Sequence, residues 1–225
     1  MHTEVGAHED EDLPGAAILV GGHSARMGTD KALLRADQRS PSMLEVIAAR
    51  LAEAGLPSPL LVTNTPERYA FLGLRMVADD LPGAGPLGGV FTALNHSPFR
   101  RVLVVACDMP LLNPDLVRYM ASLADDADAI VPRHTDEEGH QRPEPLHAIY
   151  SRRCIEPIRR RLERGSLSIV GLLDELSVRY IQEAELRAFD PHLLSFRNIN
   201  TPQEWAEYLR LVRSISAPGP QHPHR

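Results

Sequence analysis

The sequence predicts an α/β fold: a mostly parallel sheet with helices on both faces. Three observations lead there. Short aliphatic runs alternate with helix-length patterns, the alternation that builds strand–helix–strand units. The clearest strand run, "VLVVA" at 102–106, is uncharged and β-branched, as a strand covered on both faces should be. Local helix start and stop signals fall between such runs.

Taken in order, residues 16–20 form the first strand. "SPSMLEVIAARLAEAG" at 40–55 is a helix with Ser40 as cap, Pro41 in the first turn, Ser42 and Glu45 spaced as a capping box, and Gly55 past its end. Its Met43, Leu44, Ile47 and Leu51 recur at helical spacing and form one buried face. Residues 60–63 and 75–78 give the second and third strands. "PLGGVFTALNHS" is a helix entered through glycines, and 102–106 is the fourth strand. Asn113-Pro114-Asp115 caps another helix, and 129–132 and 147–150 are strands. Helices follow near 153–164 and 168–176. The last helix starts at Thr201, with a Thr201–Glu204 capping box and an apolar stripe of Trp205, Tyr208, Leu209 and Val212. No linker composition divides the chain, so one domain is expected over 14–215. It lies between an acidic tail (1–13) and a proline- and histidine-rich tail (216–225).

Composition narrows the function. The apolar share of 43% supports a real core in 225 residues. A net charge of −6 argues against nucleic acid or an anionic membrane as the main partner. No apolar run has the length of a membrane span, and the acidic N-terminus does not read as a secretory signal. Cys107 and Cys154 are too few for a disulfide framework or a metal cage. A cytoplasmic location is expected.

The chemistry gathers where strands end. "ILVGGHSARMGTDKALL" leaves the first strand through Gly21 and Gly22, whose backbone can approach an oxygen-rich ligand closely. Arg26 adds a planar fork for phosphate oxygens and Lys31 a point charge. The spacing matches neither G-x-x-x-x-G-K-[ST] nor G-x-G-x-x-G, which sets aside P-loop hydrolases and dinucleotide dehydrogenases. "CDMP" puts Asp108 at the end of the fourth strand, where a carboxylate beside phosphates suits a bridging magnesium ion. Asp79 ends the third strand before "LPGAGPLGGV", a bulk-free approach that can admit a flat ring. Asn200, after a short strand in "RNINTP", is a candidate to complete the magnesium site. Alone, the first glycine loop reads as a phosphate cradle, Asp108 and Asn200 read first as turn or cap residues, and the Asp79 loop reads equally as a long connector. On the acceptor side, "RPEPLHAIY" offers Arg142, Glu144 and His147. His147 reads first as a core histidine satisfied by a backbone carbonyl, and the arginine run at 159–165 as a solvated helix face.

Together, "LVGGHSARMGTDKALL", "DDLPGAGPLGGVFTAL", "CDMPLL" and "NINTP" resemble, in order and spacing, the molybdenum cofactor guanylyltransferase family over about residues 16–208. The resemblance implies a Rossmann-like nucleotidyltransferase domain. It further implies transfer of GMP from Mg-GTP to molybdenum-molybdopterin with release of pyrophosphate, and contact with cofactor-delivery proteins and molybdoenzyme chaperones. Carried over, Leu19, Val20 and Gly21 line the nucleotide, Lys31 touches its phosphates, Asp79 helps recognise guanine and Asp108 holds magnesium. A further nucleotide contact falls on Thr63 or Asn64, with the register open between them. Val20 stands where the family usually has alanine, a small departure if the backbone makes the contact. Rivals are a cytidylyl- or cobinamide-phosphate guanylyltransferase of the same fold, a sugar-1-phosphate nucleotidyltransferase, and a non-catalytic nucleotide-binding module. The double glycine favours guanine over cytosine, "GGHSARMG" is not the sugar-nucleotide loop, and Lys31 with Asp108 argues for catalysis.

Overall fold

The computed structural model describes residues 13–21, 30–123, 126–136 and 138–216. Strands β1 (Gly15–Leu19), β2 (Leu60–Val62), β3 (Met76–Val77) and β4 (Arg101–Ala106) run parallel, with β1 between β2 and β4. Strand β7 (His147–Ser151) lies antiparallel between β4 and β5 (Ala129–Thr135). Strand β5 also takes β6 (Gln141–Pro143) antiparallel and β8 (Val178–Gln182) parallel. The register pairs Leu19 with Ala106 and Val105 with His147. The ends of β1 and β4 therefore share one sheet edge with the start of β7. In parallel sheets, that carboxyl edge is where ligands bind.

Helices cover both faces because residues alternate sides along each strand. Ala16 and Ile18 point into one core with Leu44, Ile47 and Leu51 of α1 (Met43–Glu53) and Leu116, Val117 and Met120 of α3 (Pro114–Ser122). Ala17 points into the other, with Leu87, Val90 and Leu94 of α2 (Gly85–His96) and Ile158 of α4 (Ile155–Glu163). Leu172 and Leu173 of α5 (Ile169–Leu173) close this second layer. Leu186 of α6 (Glu183–Phe189) belongs to the first. Each fully buried aliphatic side chain contributes about 1.5–3 kcal/mol of transfer free energy.

Most expected elements are present with ends moved by a residue or two. The cap of α1 is Ser42, not Ser40. Its hydroxyl accepts from the Glu45 N–H at 3.3 Å, while Glu45 Oε2 accepts from the Ser42 N–H at 2.8 Å. The helix is thus closed by the expected capping box, and Gly55 beyond it takes φ 82°. Asn113 caps α3 through the N–H groups of Asp115 and Leu116. Thr201 and Glu204 box the start of α7 (Pro202–Ser216). Two strands and an α-helix among the described residues were not anticipated: β6, an exposed edge strand, half-buried β8, and α6, whose box is formed by Gln182 and Glu185. Residues 197–200, expected as a strand end, pair with no strand; they leave a single 3-10 turn (Leu194–Phe196).

His147 is fully buried, as read, but neither ring nitrogen has a hydrogen-bond partner among the described residues. Its ring meets Phe196 edge-on at 5.2 Å. Burial lowers its pKa from 6.5 to about 4, against an opposing pull from Asp190. A folded-state pKa below the unfolded one means that the unfolded chain binds the proton first as pH falls. The contribution is complete above the unfolded value and is lost between pH 6.5 and about 4, on the order of 3 kcal/mol. The wild-type melting temperature should therefore fall more steeply from pH 7 to pH 5 than that of His147→Leu. Parallel melting curves for the two proteins would contradict this.

Candidate active site

Four strand ends line up at the carboxyl edge: β3 before Asp79, β2 before Asn64, β1 before Gly21 and β4 before Asp108. Backbone bonds stitch the edge together. The Val20 N–H donates to Val62 O at 2.9 Å and the Cys107 N–H to Leu19 O at 3.2 Å. Leu19 is half-buried, Val20 is buried, and Gly21 is exposed with open space where a Cβ would stand. Gly21 is also outside the left-handed region, so among the described residues neither backbone angle nor packing requires a glycine there. Gly22 and Arg26 lie outside the described residues.

Lys31 opens a one-turn 3-10 helix (Lys31–Leu33) that is fixed from behind by Asp30. Asp30 Oδ1 accepts from the Ala32 N–H at 3.1 Å. Its Oδ2 accepts from the Tyr69 hydroxyl at 2.6 Å and pairs with Arg68 at 3.0 Å. Burial and this carboxylate push the Tyr69 hydroxyl pKa up, so it remains a donor. Lys31 Nζ then donates to Asn200 Oδ1 at 2.7 Å, across 169 positions of sequence.

Asn200 is itself held. Its N–H donates to Glu204 Oε2 at 2.6 Å, and the neighbouring Ile199 N–H donates to Asp108 O at 2.9 Å. Burial raises the Asp108 carboxyl pKa, nearby Lys31 works against that rise, and Glu204 adds to it. Burial also works to raise Glu204, but the N–H groups of Asn200 and Thr201 outweigh it and leave it lowered. Lys31, Asp108, Asn200 and Glu204 therefore share one electrostatic site. A carboxylate partly withdrawn from water, with one cation nearby, is a reasonable hard-ligand position for a divalent ion. The Asn200 Oδ1 proposed as its companion ligand is engaged by Lys31.

The second cluster flanks the first on the β2–β3 side. Of the two candidates there, Thr63 is buried and uses Oγ1 on the Thr65 N–H, whereas Asn64 is exposed. Asn64 Oδ1 accepts from the Asp79 N–H at 2.9 Å. The glycines after Asp79 divide into two kinds. Gly83 and Gly85 are exposed and left-handed, with φ of 89° and 64°, as the turn into α2 requires. Gly88 and Gly89 are buried and permit close approach. A Cβ at Gly88 would stand 2.8 Å from Ala84 Cβ, and one at Gly89 2.8 Å from Leu19 Cδ1.

The remaining acceptor-side candidates are engaged with partners of their own. Arg142 pairs with Asp136 at 2.5 Å on an exposed hairpin. Glu144 pairs with His134 at 2.9 Å, a carboxylate contact that raises the His134 pKa despite burial. In the arginine run, Arg161 turns inward to Glu175. Sequence reading missed the supporting groups Asp30 and Tyr69, and read Glu204 only as the capping-box partner of Thr201. Asp30 had a local signal, as the residue before a one-turn helix; Tyr69 had none.

A family model for the MobA-like NTP transferase domain matches residues 16–177. The chain belongs to this family. It is similar to a probable molybdenum cofactor guanylyltransferase of Pelotomaculum thermopropionicum, 37% identical over 187 residues, 83% of this chain and 87% of that one. A second, from Methanothermobacter thermautotrophicus, is 35% identical over 86% of this chain and 98% of its own. Among solved structures, the molybdopterin-guanine dinucleotide biosynthesis protein A of Archaeoglobus fulgidus superposes with TM-score 0.73 at 27% identity, covering 89% and 99% of the two chains. The bifunctional IspDF of Campylobacter jejuni, at 13% identity and TM-score 0.65, shares the fold over 87% of this chain and 54% of its own.

Because Asp30 fixes the turn that carries Lys31, Asp30→Ala should cost about 1–3 kcal/mol of stability, as the Tyr69 hydroxyl and the Ala32 N–H lose their acceptor. Urea denaturation measures this. An unchanged midpoint would show that the Asp30 contacts do not hold the turn.

Proposed function

We propose that this protein transfers GMP from GTP to the terminal phosphate of molybdenum-molybdopterin, releasing pyrophosphate. The observation that carries the reading is the meeting of Lys31 and Asp108 at one sheet edge, joined through Asn200 and the 199–200 backbone. Relatives at 31–37% identity that bear the guanylyltransferase name support the choice of reaction.

The triphosphate lies along the edge beyond β1, against the backbone of Leu19, Val20 and Gly21, with Gly22 and Arg26 assigned to the same loop from sequence. Lys31 carries the positive charge that meets phosphate oxygens, and Asn200 keeps its ammonium aimed at the site. Asp108 is the residue that would hold Mg²⁺, together with oxygens of the substrate phosphates. When bound, that ion supplies neutralisation of the charge that builds on the leaving pyrophosphate. Asp79 and Asn64 lie at the far end of the row, the position assigned to the guanine base.

The transfer is an in-line displacement. An oxygen of the acceptor phosphate forms a bond to the α-phosphorus, and the bond from that phosphorus to the α–β bridging oxygen breaks, its electron pair leaving with pyrophosphate. The acceptor oxygen is ionised at neutral pH, so no general base is needed. The protein contributes position and fixed charge, the two terms that dominate such transfers. This reading also carries a cytoplasmic setting and hand-over of the acceptor by delivery proteins and chaperones. The only membrane-related finding is that no helix among the described residues is long and apolar enough to cross a bilayer.

Steady-state turnover with purified molybdopterin acceptor tests the reading. The wild type should use GTP in preference to CTP or ATP. Lys31→Ala and Asp108→Ala should each lose at least about 10²-fold in kcat, the usual scale of a lost electrostatic contact to the transition state. Wild-type turnover with a cobinamide phosphate acceptor instead, or both variants within tenfold of wild type, would overturn it.

A further inference from the structure

With Asp79 read as the base-recognising carboxylate proposed above, we infer that Thr92, one helix behind it, is the positioning residue that sets purine selectivity. Thr92 lies in the second turn of α2 and is fully buried. A buried hydroxyl on an otherwise apolar helix face must be satisfied, and this one is satisfied twice. It donates to Asp79 Oδ1 at 3.1 Å and accepts from the Asp80 N–H at 2.9 Å. The same Asp79 oxygen accepts from the Leu81 N–H at 3.1 Å, and the Asp79 N–H is held by Asn64 at 2.9 Å. Gly88 brings the helix close enough for this, since a Cβ there would stand 3.4 Å from Asp79 Oδ1.

The consequence is an asymmetric carboxylate. Oδ1 is committed to two protein donors. Among the described residues Oδ2 accepts no hydrogen bond, so Oδ2 is the oxygen left for a ligand. A carboxylate oxygen fixed in this way suits a base edge made of donors. Guanine presents N1–H and a 2-amino group; adenine presents a bare N1, an acceptor that meets the same oxygen with repulsion. A site built to accept from a ligand donor discriminates strongly against the analogue lacking it. That discrimination depends on the carboxylate being unable to rotate, and the Thr92 hydroxyl is the side-chain group that prevents rotation. Thr92 does not touch the base itself; it acts through Asp79.

The test is calorimetric binding of Mg-GTP and Mg-ATP to the full chain, with turnover alongside. Thr92→Val removes the hydroxyl at nearly constant volume. It should raise the GTP dissociation constant and lower the GTP-over-ATP preference by roughly tenfold each, with kcat at saturating GTP within about threefold of wild type. Thr92→Ser, which keeps the hydroxyl, should restore both to within about twofold. If Thr92→Val does not fold, Thr92→Ala removes the same hydroxyl without adding a methyl group and takes its place. In an Asp79→Asn background the Thr92 substitution should add no further loss of preference. Wild-type preference in the hydroxyl-free variant, failure of Thr92→Ser to restore it, or a fall in kcat at unchanged affinity would overturn the inference. These outcomes differ from failure of the Asp79 reading, in which Asp79→Asn itself would leave the preference for GTP intact.

Discussion

The hydrogen bond from Lys31 Nζ to Asn200 Oδ1 organises the candidate site. It joins the one-turn helix at Lys31–Leu33 to the segment that enters the last helix, 169 residues away. Lysine is a flexible point charge whose rotamer freedom is costly to lose. A fixed oxygen at 2.7 Å removes much of that freedom before any ligand arrives. Asn200 can serve because its backbone is tied to Glu204 and its neighbour Ile199 to the Asp108 carbonyl. One chain of contacts therefore sets the position of the cation and of the carboxylate together.

The parallel sheet makes this economical. Strands β1 to β4 all end at the same edge, so the Gly21 backbone and the side chains of Asn64, Asp79 and Asp108 are carried to it without a dedicated scaffold. Strand β7 reverses direction beside β4 and closes that edge with buried residues instead of ligand-facing ones. The cost falls on Asp108, whose carboxyl is partly desolvated and sits near Glu204. A desolvated carboxylate with incomplete compensation is a poor contributor to stability and a good site for a cation. The Asp79 end of the row follows a different logic. There the protein supplies the Asp79 contacts itself through Asn64, Leu81 and Thr92, and among the described residues Oδ2 accepts no hydrogen bond.

What could be read from sequence was what is determined locally. Ser42 and Glu45 are three residues apart, and their mutual hydrogen bonds were visible in the spacing even though the cap fell at Ser42 instead of Ser40. The apolar run of β4 and the proline after Asn113 were equally plain. Strand β8 and helix α6 were not, because "VRYIQ" is only half-buried and its box begins on a glutamine. Residues 197–200 were read as a strand end but are held by the Arg197 N–H on Leu194 O, the Ile199 N–H on Asp108 O and the Asn200 N–H on Glu204, and not by a ladder. Thr92 looks like any polar residue in a helix; only the folded chain brings it to Asp79, thirteen positions earlier. The glycines behaved similarly. The "LPGAGPLGG" run looked like one open approach, yet Gly88 and Gly89 serve helix packing while Gly83 and Gly85 serve the turn.

The central claim is that one sheet edge grips a triphosphate between Lys31 and Asp108 with guanine directed toward Asp79. A crystal structure of the full chain with Mg²⁺ and a non-hydrolysable GTP analogue measures it directly. The account predicts phosphate oxygens within hydrogen-bonding distance of Lys31 Nζ, the ion on the Asp108 carboxylate, and a guanine donor on Asp79 Oδ2. Nucleotide bound elsewhere on the molecule, or at this edge with Lys31 still on Asn200 and no phosphate beside it, would contradict the account.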